Sequence, residues 1–214
     1  MKESKYHYKI HNSEFCILNS ELKISPITNH QSQGTKFMEM KATTICAVKK
    51  DGITAIAGDG QVTMGESVIL KNNAVKVKRI YNNKVVVGFA GSVSDAFTLS
   101  EKFEEMLQKY SGNLMRSAVE LAELWRSGKA IRNLEAMLII ADKENLFIVS
   151  GNGNVIDPEG CCAIGSGGNY ALAAARALLE NTKMKAEEIV KLSMKIAADL
   201  CVFTNHNIIV ETIN

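Results

Sequence analysis

Two apolar runs meet across a tight turn near residue 50, and this stretch constrains the fold more than any other. Ile45-Cys46-Ala47-Val48 ends at Lys50-Asp51-Gly52, and a second run over 53–57 leads into Gly58-Asp59-Gly60. Short apolar runs around an Asp-Gly turn read as a β-hairpin. The hairpin opens on Thr43-Thr44. β-branched residues suit strands, so a threonine there is ordinary by itself. If the chain were to begin at Thr43, however, one residue would carry both a hydroxyl nucleophile and an α-amine base. Such an amine has a reference pKa of roughly 7.7–8.0, close to neutral pH, and needs little tuning.

Short elements follow closely from there. Residues 75–80 read as a short basic strand with Tyr81-Asn82-Asn83 as its turn. Residues 84–90 form a strand with little polar alternation, so cover on both faces is expected. Ser92 or Ser94 can cap a helix on which Ala96, Leu99, Phe103, Met106 and Tyr110 recur at three- and four-residue steps, with Ser111-Gly112 as its stop. Asn113 can cap a second helix, with Leu114, Ala118, Leu121 and Trp125 on one face and Gly128 ending it. Strands at 137–141 and 146–150 flank a polar turn, and a strand at 161–164 runs into Gly165-Ser166-Gly167-Gly168. Helices are expected at 170–180 and at about 186–201, the second placing Ile189, Leu192, Ile196 and Leu200 along one side. A strand at 207–212 closes the chain. Turns this short require antiparallel pairing, because a parallel neighbour needs a long crossover. Sheets with helices outside them give a layered α+β domain.

Composition excludes several classes. At 214 residues and 46% hydrophobic, the chain can bury one substantial core. Six of its 25 Lys and Arg and four of its 23 Asp and Glu fall in residues 1–42, which leaves 43–214 balanced at 19 against 19. A neutral body lacks the basic footprint of a nucleic-acid binder. No apolar stretch reaches the ~18–20 residues that span a bilayer. Met1-Lys2-Glu3-Ser4-Lys5-Tyr6 is not followed by an apolar segment, which argues against a secretory signal. Five cysteines without C-x-x-C spacing, two of them the vicinal Cys161-Cys162, fit reduced, mostly buried thiols in a cytoplasmic protein.

Residues 1–42 differ in character. They are rich in Ser, Asn, Lys and His and contain a loose echo, Asn12-Ser13-Glu14-Phe15 and Asn19-Ser20-Glu21-Leu22. His7 and His11 stand at i, i+4, but no carboxylate or third ligand lies at a useful interval, so a zinc site is not expected. The segment shows few signs of a core face and is expected to be disordered or removed, which leaves a single domain over 43–214.

Five pieces then stand in order: Thr43-Thr44-Ile45; Gly58-Asp59-Gly60-Gln61-Val62-Thr63; Lys76 in its basic strand; Gly88-Phe89-Ala90-Gly91; and Ile164-Gly165-Ser166-Gly167-Gly168. With this ordered set the chain resembles the HslV (ClpQ) family, bacterial proteasome-like peptidases that work with the AAA+ ATPase HslU (ClpY). The likeness runs from about Thr43 to Thr212 and includes Asp95-Ala96-Phe97-Thr98-Leu99, residues 171–182 and Cys201-Val202-Phe203-Thr204-Asn205-His206. It implies the four-layer αββα sandwich of N-terminal nucleophile hydrolases, in agreement with the element order. It also implies a threonine endopeptidase that acts on protein substrates in a homo-oligomer, a dodecamer of two stacked hexameric rings. ATP would belong to the partner, and no nucleotide would bind this chain.

The resemblance further assigns roles. Thr43 Oγ would attack a peptide carbonyl while its own amine, through a water, takes the proton. Lys76 is similar to the family's active-site lysine, whose cation would lower neighbouring pKa values. Asp59 would hold Lys76 in place, and Ser166 would hydrogen-bond near the Thr43 amine. Backbone N–H groups around Gly88-Phe89-Ala90-Gly91 would form the oxyanion hole. A monovalent-cation site for Na⁺ or another such ion would fall on Ala198, Cys201 and Thr204, whose carbonyls lie near a helix C-terminus. Ala198 replaces a glycine common in the family, which a carbonyl ligand tolerates. Asn169 stands where proline is usual, and Ser127-Gly128 also departs from the pattern.

Two rival readings exist. Strand, Gly165-x-Gly167-Gly168 and helix suggest a phosphate cradle, but the third glycine of the dinucleotide fingerprint is Tyr170, and only 44 residues follow it. A noncatalytic ring subunit would not need Thr43, Asp59, Lys76 and Ser166 together. The threonine mechanism requires the Ala42–Thr43 bond to be cut, because an internal residue has an amide where the base must be. Residues 1–37 are then either a long pro-segment or upstream of a true start at Met38 or Met40; the second is the expectation adopted.

Overall fold

The computed structural model describes residues 43–65, 67–128 and 136–214, with backbone alone at 93–94 and 96–97 and in four strands ahead of Thr43. The His7–His11 pair, Met38 and the Ala42 side of the cleavage bond lie outside the described residues. Residues 1–37 form a unit of their own, in which β1 (Tyr6–Ile10), β2 (Ser13–Leu18) and β3 (Glu21–Ile24) make an antiparallel meander.

The body is built from two sheets. β5 (Thr44–Lys50) and β6 (Ile53–Gly58) are the expected hairpin, turning at Asp51-Gly52 with both residues at positive φ. β14 (Cys161–Gly165) and β15 (Ile209–Ile213) flank it to complete a four-stranded sheet, β14-β5-β6-β15. The second sheet has the order β13-β12-β11-β10-β9, from β9 (Val77–Ile80), β10 (Val85–Gly91), β11 (Ala136–Ala141), β12 (Leu146–Ser150) and β13 (Val155–Ile156). Neighbours in both sheets are antiparallel, as the short turns require.

Strand alternation sorts the apolar side chains into three cores. Ile45 and Ala47 of β5 pack between the sheets with Ile56, Val86 and Ile139. Their neighbours Cys46 and Val48 face α3 (Gly168–Asn181) and α4 (Ala186–Leu200). Val85, Val87 and Phe89 of β10 point to α1 (Val93–Lys109) and α2 (Leu114–Ser127), while Val86 and Ala90 point to the other sheet. Each of these strands is covered on both faces, which is why neither shows polar alternation. The result is the four-layer αββα sandwich.

Local details follow the chemistry in part. Asn113 Oδ1 accepts from the Arg116 N–H at 2.9 Å and caps α2. Ser92 holds the N-cap position of α1 without a side-chain cap bond, and Ser94 lies inside the helix. The expected face of α4 needs correction. Its buried side is Ala186, Ile189, Val190, Ser193, Met194 and Ala197, whereas Leu192 and Leu200 are exposed. Small side chains let the helix sit close on the β5–β6 sheet, so size was a poor guide to the inward face. The sequence pattern also missed β7 (Val62–Met64) and β8 (Val68–Lys71), which make a small sheet with β4 (Met40–Lys41). β8 has no buried face, so it carries no alternation to read.

Candidate active site

Thr43 and Thr44 stand where β5 enters the sandwich, and both are buried. The β5–β14 ladder extends past Thr44, where the Ser166 N–H donates to the Thr43 carbonyl at 2.9 Å. Gly165 makes that approach possible. It sits at φ +89°, and a Cβ there would stand 1.9 Å from the Thr43 carbonyl oxygen. Ser166 is therefore placed beside Thr43 through its main chain, and the residue itself is exposed.

The next contacts bring in the turn after β6. The Asp59 N–H donates to the Thr44 carbonyl at 3.2 Å, and the Thr44 N–H donates back to Asp59 Oδ1 at 2.7 Å. The same oxygen accepts from Lys76 Nζ at 2.9 Å. Asp59 Oδ2 accepts from the Gln61 N–H at 2.9 Å, and Lys76 Nζ also donates to the Gln61 carbonyl. Asp59, Lys76, Gln61 and the Thr44 main chain are thus gathered within one buried network, one residue along from Thr43. Burial pulls the Lys76 ammonium below the ordinary lysine value, while the Asp59 carboxylate pushes the other way. Lys76 therefore holds its proton less tightly than a solvated lysine would.

Of the stretch expected to supply oxyanion donors, Phe89 is already committed. Its N–H donates to the Lys76 carbonyl at 3.1 Å, which ties β10 to the lysine. Gly91, at the end of the strand, takes φ +126°.

A second network lies behind Thr44. Its hydroxyl meets that of Thr204 at 2.7 Å and accepts from the Gly167 N–H at 2.9 Å. The N–H groups of Ser166 and Gly167 are therefore bonded within the chain, which leaves that loop ill-suited to cradle a phosphate. Thr204 belongs to the turn that follows α4, where the Cys201 N–H closes onto Ala197 and the Thr204 N–H onto the Cys201 carbonyl. Ala198, Cys201 and Thr204 recur every third residue there. Carbonyl oxygens at a helix C-terminus lack intrahelical partners and carry the negative end of the helix dipole, the donor chemistry a monovalent cation takes, although the Cys201 carbonyl already accepts the Thr204 N–H. Gln61 links the two networks, since its Nε2 donates to the Val202 carbonyl at 2.8 Å.

Sequence reasoning gave no role to Thr44, Gln61, Gly167 or Asn205. All four did stand in the quoted stretches. Asn205 acts across 133–146 residues, a separation at which one sequence carries no signal.

Comparison with known proteins agrees with this architecture. A family model described as proteasome subunit matches residues 39–213. The ATP-dependent protease subunit HslV of Enterococcus faecalis is 62% identical over 176 residues, covering 81% of this chain and 97% of its own. That of Ligilactobacillus salivarius is 66% identical over 171 residues, with 79% and 98% covered. Among solved structures, eukaryotic HslV from Trypanosoma brucei superposes with a TM-score of 0.77 at 46% identity, covering 80% of this chain and 99% of that one. The chain belongs to the proteasome-subunit family, on its HslV branch.

Proposed function

We propose that this chain is the threonine endopeptidase subunit of an ATP-dependent, HslV-type protease, with Thr43 as its nucleophile once the Ala42–Thr43 bond is cut. The observation that carries the reading is the placement of Thr43 one residue from the buried Asp59–Lys76 pair, which grips the adjoining Thr44 N–H. Thr43 Oγ attacks the scissile carbonyl carbon, and the freed Thr43 amine takes the hydroxyl proton. The resulting oxyanion draws on backbone N–H groups near Ala90 and Gly91. Collapse expels the leaving amine, which takes the proton, and leaves an ester on Thr43. Water, deprotonated by the same amine, then hydrolyses that ester and restores the hydroxyl. The Lys76 cation disfavours protonation of the nearby amine and so keeps the base available at neutral pH. Ser166, whose N–H bonds the Thr43 carbonyl, hydrogen-bonds near the freed amine.

The subunit acts in a cytoplasmic homo-oligomer of two stacked hexameric rings, fed unfolded protein by an HslU-type ATPase that alone binds nucleotide. That the Enterococcus faecalis and Ligilactobacillus salivarius relatives are ATP-dependent protease subunits supports the ATP-dependent assembly. Among the described residues no helix is long and apolar enough to cross a membrane. A Na⁺ or K⁺ ion held by the carbonyls of Ala198, Cys201 and Thr204 would stiffen the turn that presents the Thr204 hydroxyl to Thr44. Residues 1–38 lie ahead of the family match, which supports their absence from the working enzyme.

Intact-mass measurement of the purified, active protein tests the reading. A chain beginning at Thr43, which gains the mass of one N-terminal-threonine-directed inhibitor as activity is lost, is expected. Full activity from a chain that still carries Ala42 would overturn the mechanism.

A further inference from the structure

Three segments distant in sequence meet at one amide. The turn at 59–61 carries Asp59, the loop at 72–74 leads within two residues to Lys76, and the turn after α4 carries Asn205. Asn205 Oδ1 accepts from the Gly60 N–H at 3.1 Å and from the Asn207 N–H at 3.1 Å. Its Nδ2 donates to the Asn72 carbonyl at 2.8 Å, and its main-chain N–H reaches Asp59 Oδ2 at 3.4 Å. The two segments it joins already touch. The Ala74 N–H donates to the Gly60 carbonyl at 2.9 Å, and a Cβ on Gly60 would stand 2.4 Å from the Asn72 carbonyl oxygen. A carboxamide offers an acceptor and a donor at opposite ends of one short planar group, which is what this junction uses. Aspartate would lose the donor, and serine would not span both partners.

We infer that Asn205 is a positioning residue for the reaction, the clasp that holds the Asp59 turn against the loop delivering Lys76. It touches neither Thr43 nor a substrate. It acts through the 2.9 Å contact between Asp59 and Lys76, whose two ends sit on the segments it joins. Gly60 adjoins Asp59, and Asn72 lies four residues before Lys76, so slack at either bond changes that separation directly. The inference rests on the reading of Thr43, Asp59 and Lys76 as the reacting group.

The test compares peptide hydrolysis by assembled wild type, Asn205→Ala, Asn207→Ala and Thr43→Ala with the ATPase partner present. Asn207 also donates to the Asn72 carbonyl but has no bond to Gly60 or Asp59, so it controls for simple tethering of the loop. Asn205→Ala is expected to lower kcat about tenfold, with KM within about twofold and ring size and melting temperature near wild type. Asn207→Ala is expected to stay within about twofold of wild type in kcat. Wild-type kcat in assembled Asn205→Ala, or an equal loss in Asn207→Ala, would overturn the inference. If Asn205→Ala does not assemble, Gly60→Ala parts the same segments sterically and must give the same fall in kcat at constant KM; wild-type turnover there overturns the inference instead. Activity in Thr43→Ala would refute the underlying threonine reading, whereas an inert Thr43→Ala beside an unaffected Asn205→Ala would refute this proposal alone.

Discussion

Lys76 Nζ lies 2.9 Å from Asp59 Oδ1, with the two side chains only 3% and 0% exposed. A pair this buried loses its hydration, and its attraction repays the loss only when other bonds satisfy both ions. Both conditions hold. Asp59 receives the N–H groups of Thr44 and Gln61, and Lys76 donates to the Gln61 carbonyl. The pair is also attached to the strand that follows the proposed nucleophile, since the Thr44 N–H ends on the oxygen that receives Lys76. A charge pair kept in the core and bonded to the residue after Thr43 is better explained by chemistry than by stability.

Asp59→Asn separates charge from shape. The amide can still accept from Thr44, but its NH₂ would face the Gln61 N–H, and the charge that raises the Lys76 pKa is gone. Burial still lowers that pKa, so Lys76 loses its proton at lower pH than in wild type. We expect kcat to fall by roughly 10- to 100-fold, the scale of losing a hydrogen bond to a charged group. The alkaline limb of the kcat–pH profile should also move to lower pH. An unshifted alkaline limb would show that the Lys76 charge is not what the reaction uses.

How much of this was legible depends on distance along the chain. The β5–β6 hairpin and the Asn113 cap were readable because each rests on contacts within a few residues. The double cover of β10 was readable from its missing polar positions. Thr43, Asp59, Lys76 and Ser166 could be named only through an ordered set of motifs. Asp59 and Lys76 meet in one network with the Thr44 main chain, and Ser166 reaches the Thr43 carbonyl by its backbone. The α4 face was misjudged because Leu192 and Leu200 advertise a stripe that the sheet does not take. The bonds from Asn205 to Gly60 and Asn72, and the Thr44–Thr204 pair, were invisible, since those partners lie more than a hundred residues away and polar turn residues have no periodicity.

Gly167 sits under both hydroxyls of the second network. A Cβ there would stand 2.5 Å from Thr44 Oγ1 and 2.5 Å from Thr204 Oγ1, so no rotamer choice relieves it. Gly167→Ala must spread the turn from β5 and break the Thr44–Thr204 bond. The expected cost is about 1–3 kcal/mol of stability, the usual scale for overpacking. Peptide turnover should drop at least about tenfold, because the shift is passed to the residue next to Thr43. Denaturant midpoints and steady-state rates check both halves. A variant of wild-type stability and rate would mean that the turn yields freely.

The proposed cation gives a prediction that needs no mutation. An ion on the carbonyls of Ala198, Cys201 and Thr204 would brace the turn whose hydroxyl meets Thr44 at 2.7 Å. Replacing Na⁺ by tetramethylammonium at constant ionic strength should lower kcat and leave KM nearly unchanged, and Na⁺ or K⁺ should restore it. The substitute ion is too large for a carbonyl turn, and constant ionic strength removes screening as an explanation. Turnover that ignores the swap would dismiss the site.

Lys76 should also leave a signature in stability, with a sign that can be worked out. Its pKa in the folded chain is below the ordinary 10.5. Between the folded value and 10.5, the unfolded chain binds this proton and the folded chain does not, so stability rises with pH across that window. Below the folded value, both states bind the proton and the full cost of burying the ammonium remains. The thiols act in the opposite direction. Burial raises Cys46, Cys161 and Cys162 above the ordinary 9.0, so the folded chain keeps protons that the unfolded chain sheds, and stability falls as pH climbs past that value. Wild type alone would mix the two trends. Lys76→Met keeps the volume and the thiols while removing the titrating group, so the difference between the two proteins isolates the lysine. Urea midpoints measured from about pH 8 to pH 10.5 should show wild type gaining on Lys76→Met as pH rises. A difference that stays flat, or narrows in the other direction, would mean that Asp59 holds Lys76 at or above its solvated pKa, and the poised-lysine account of the Thr43 amine would fall with it.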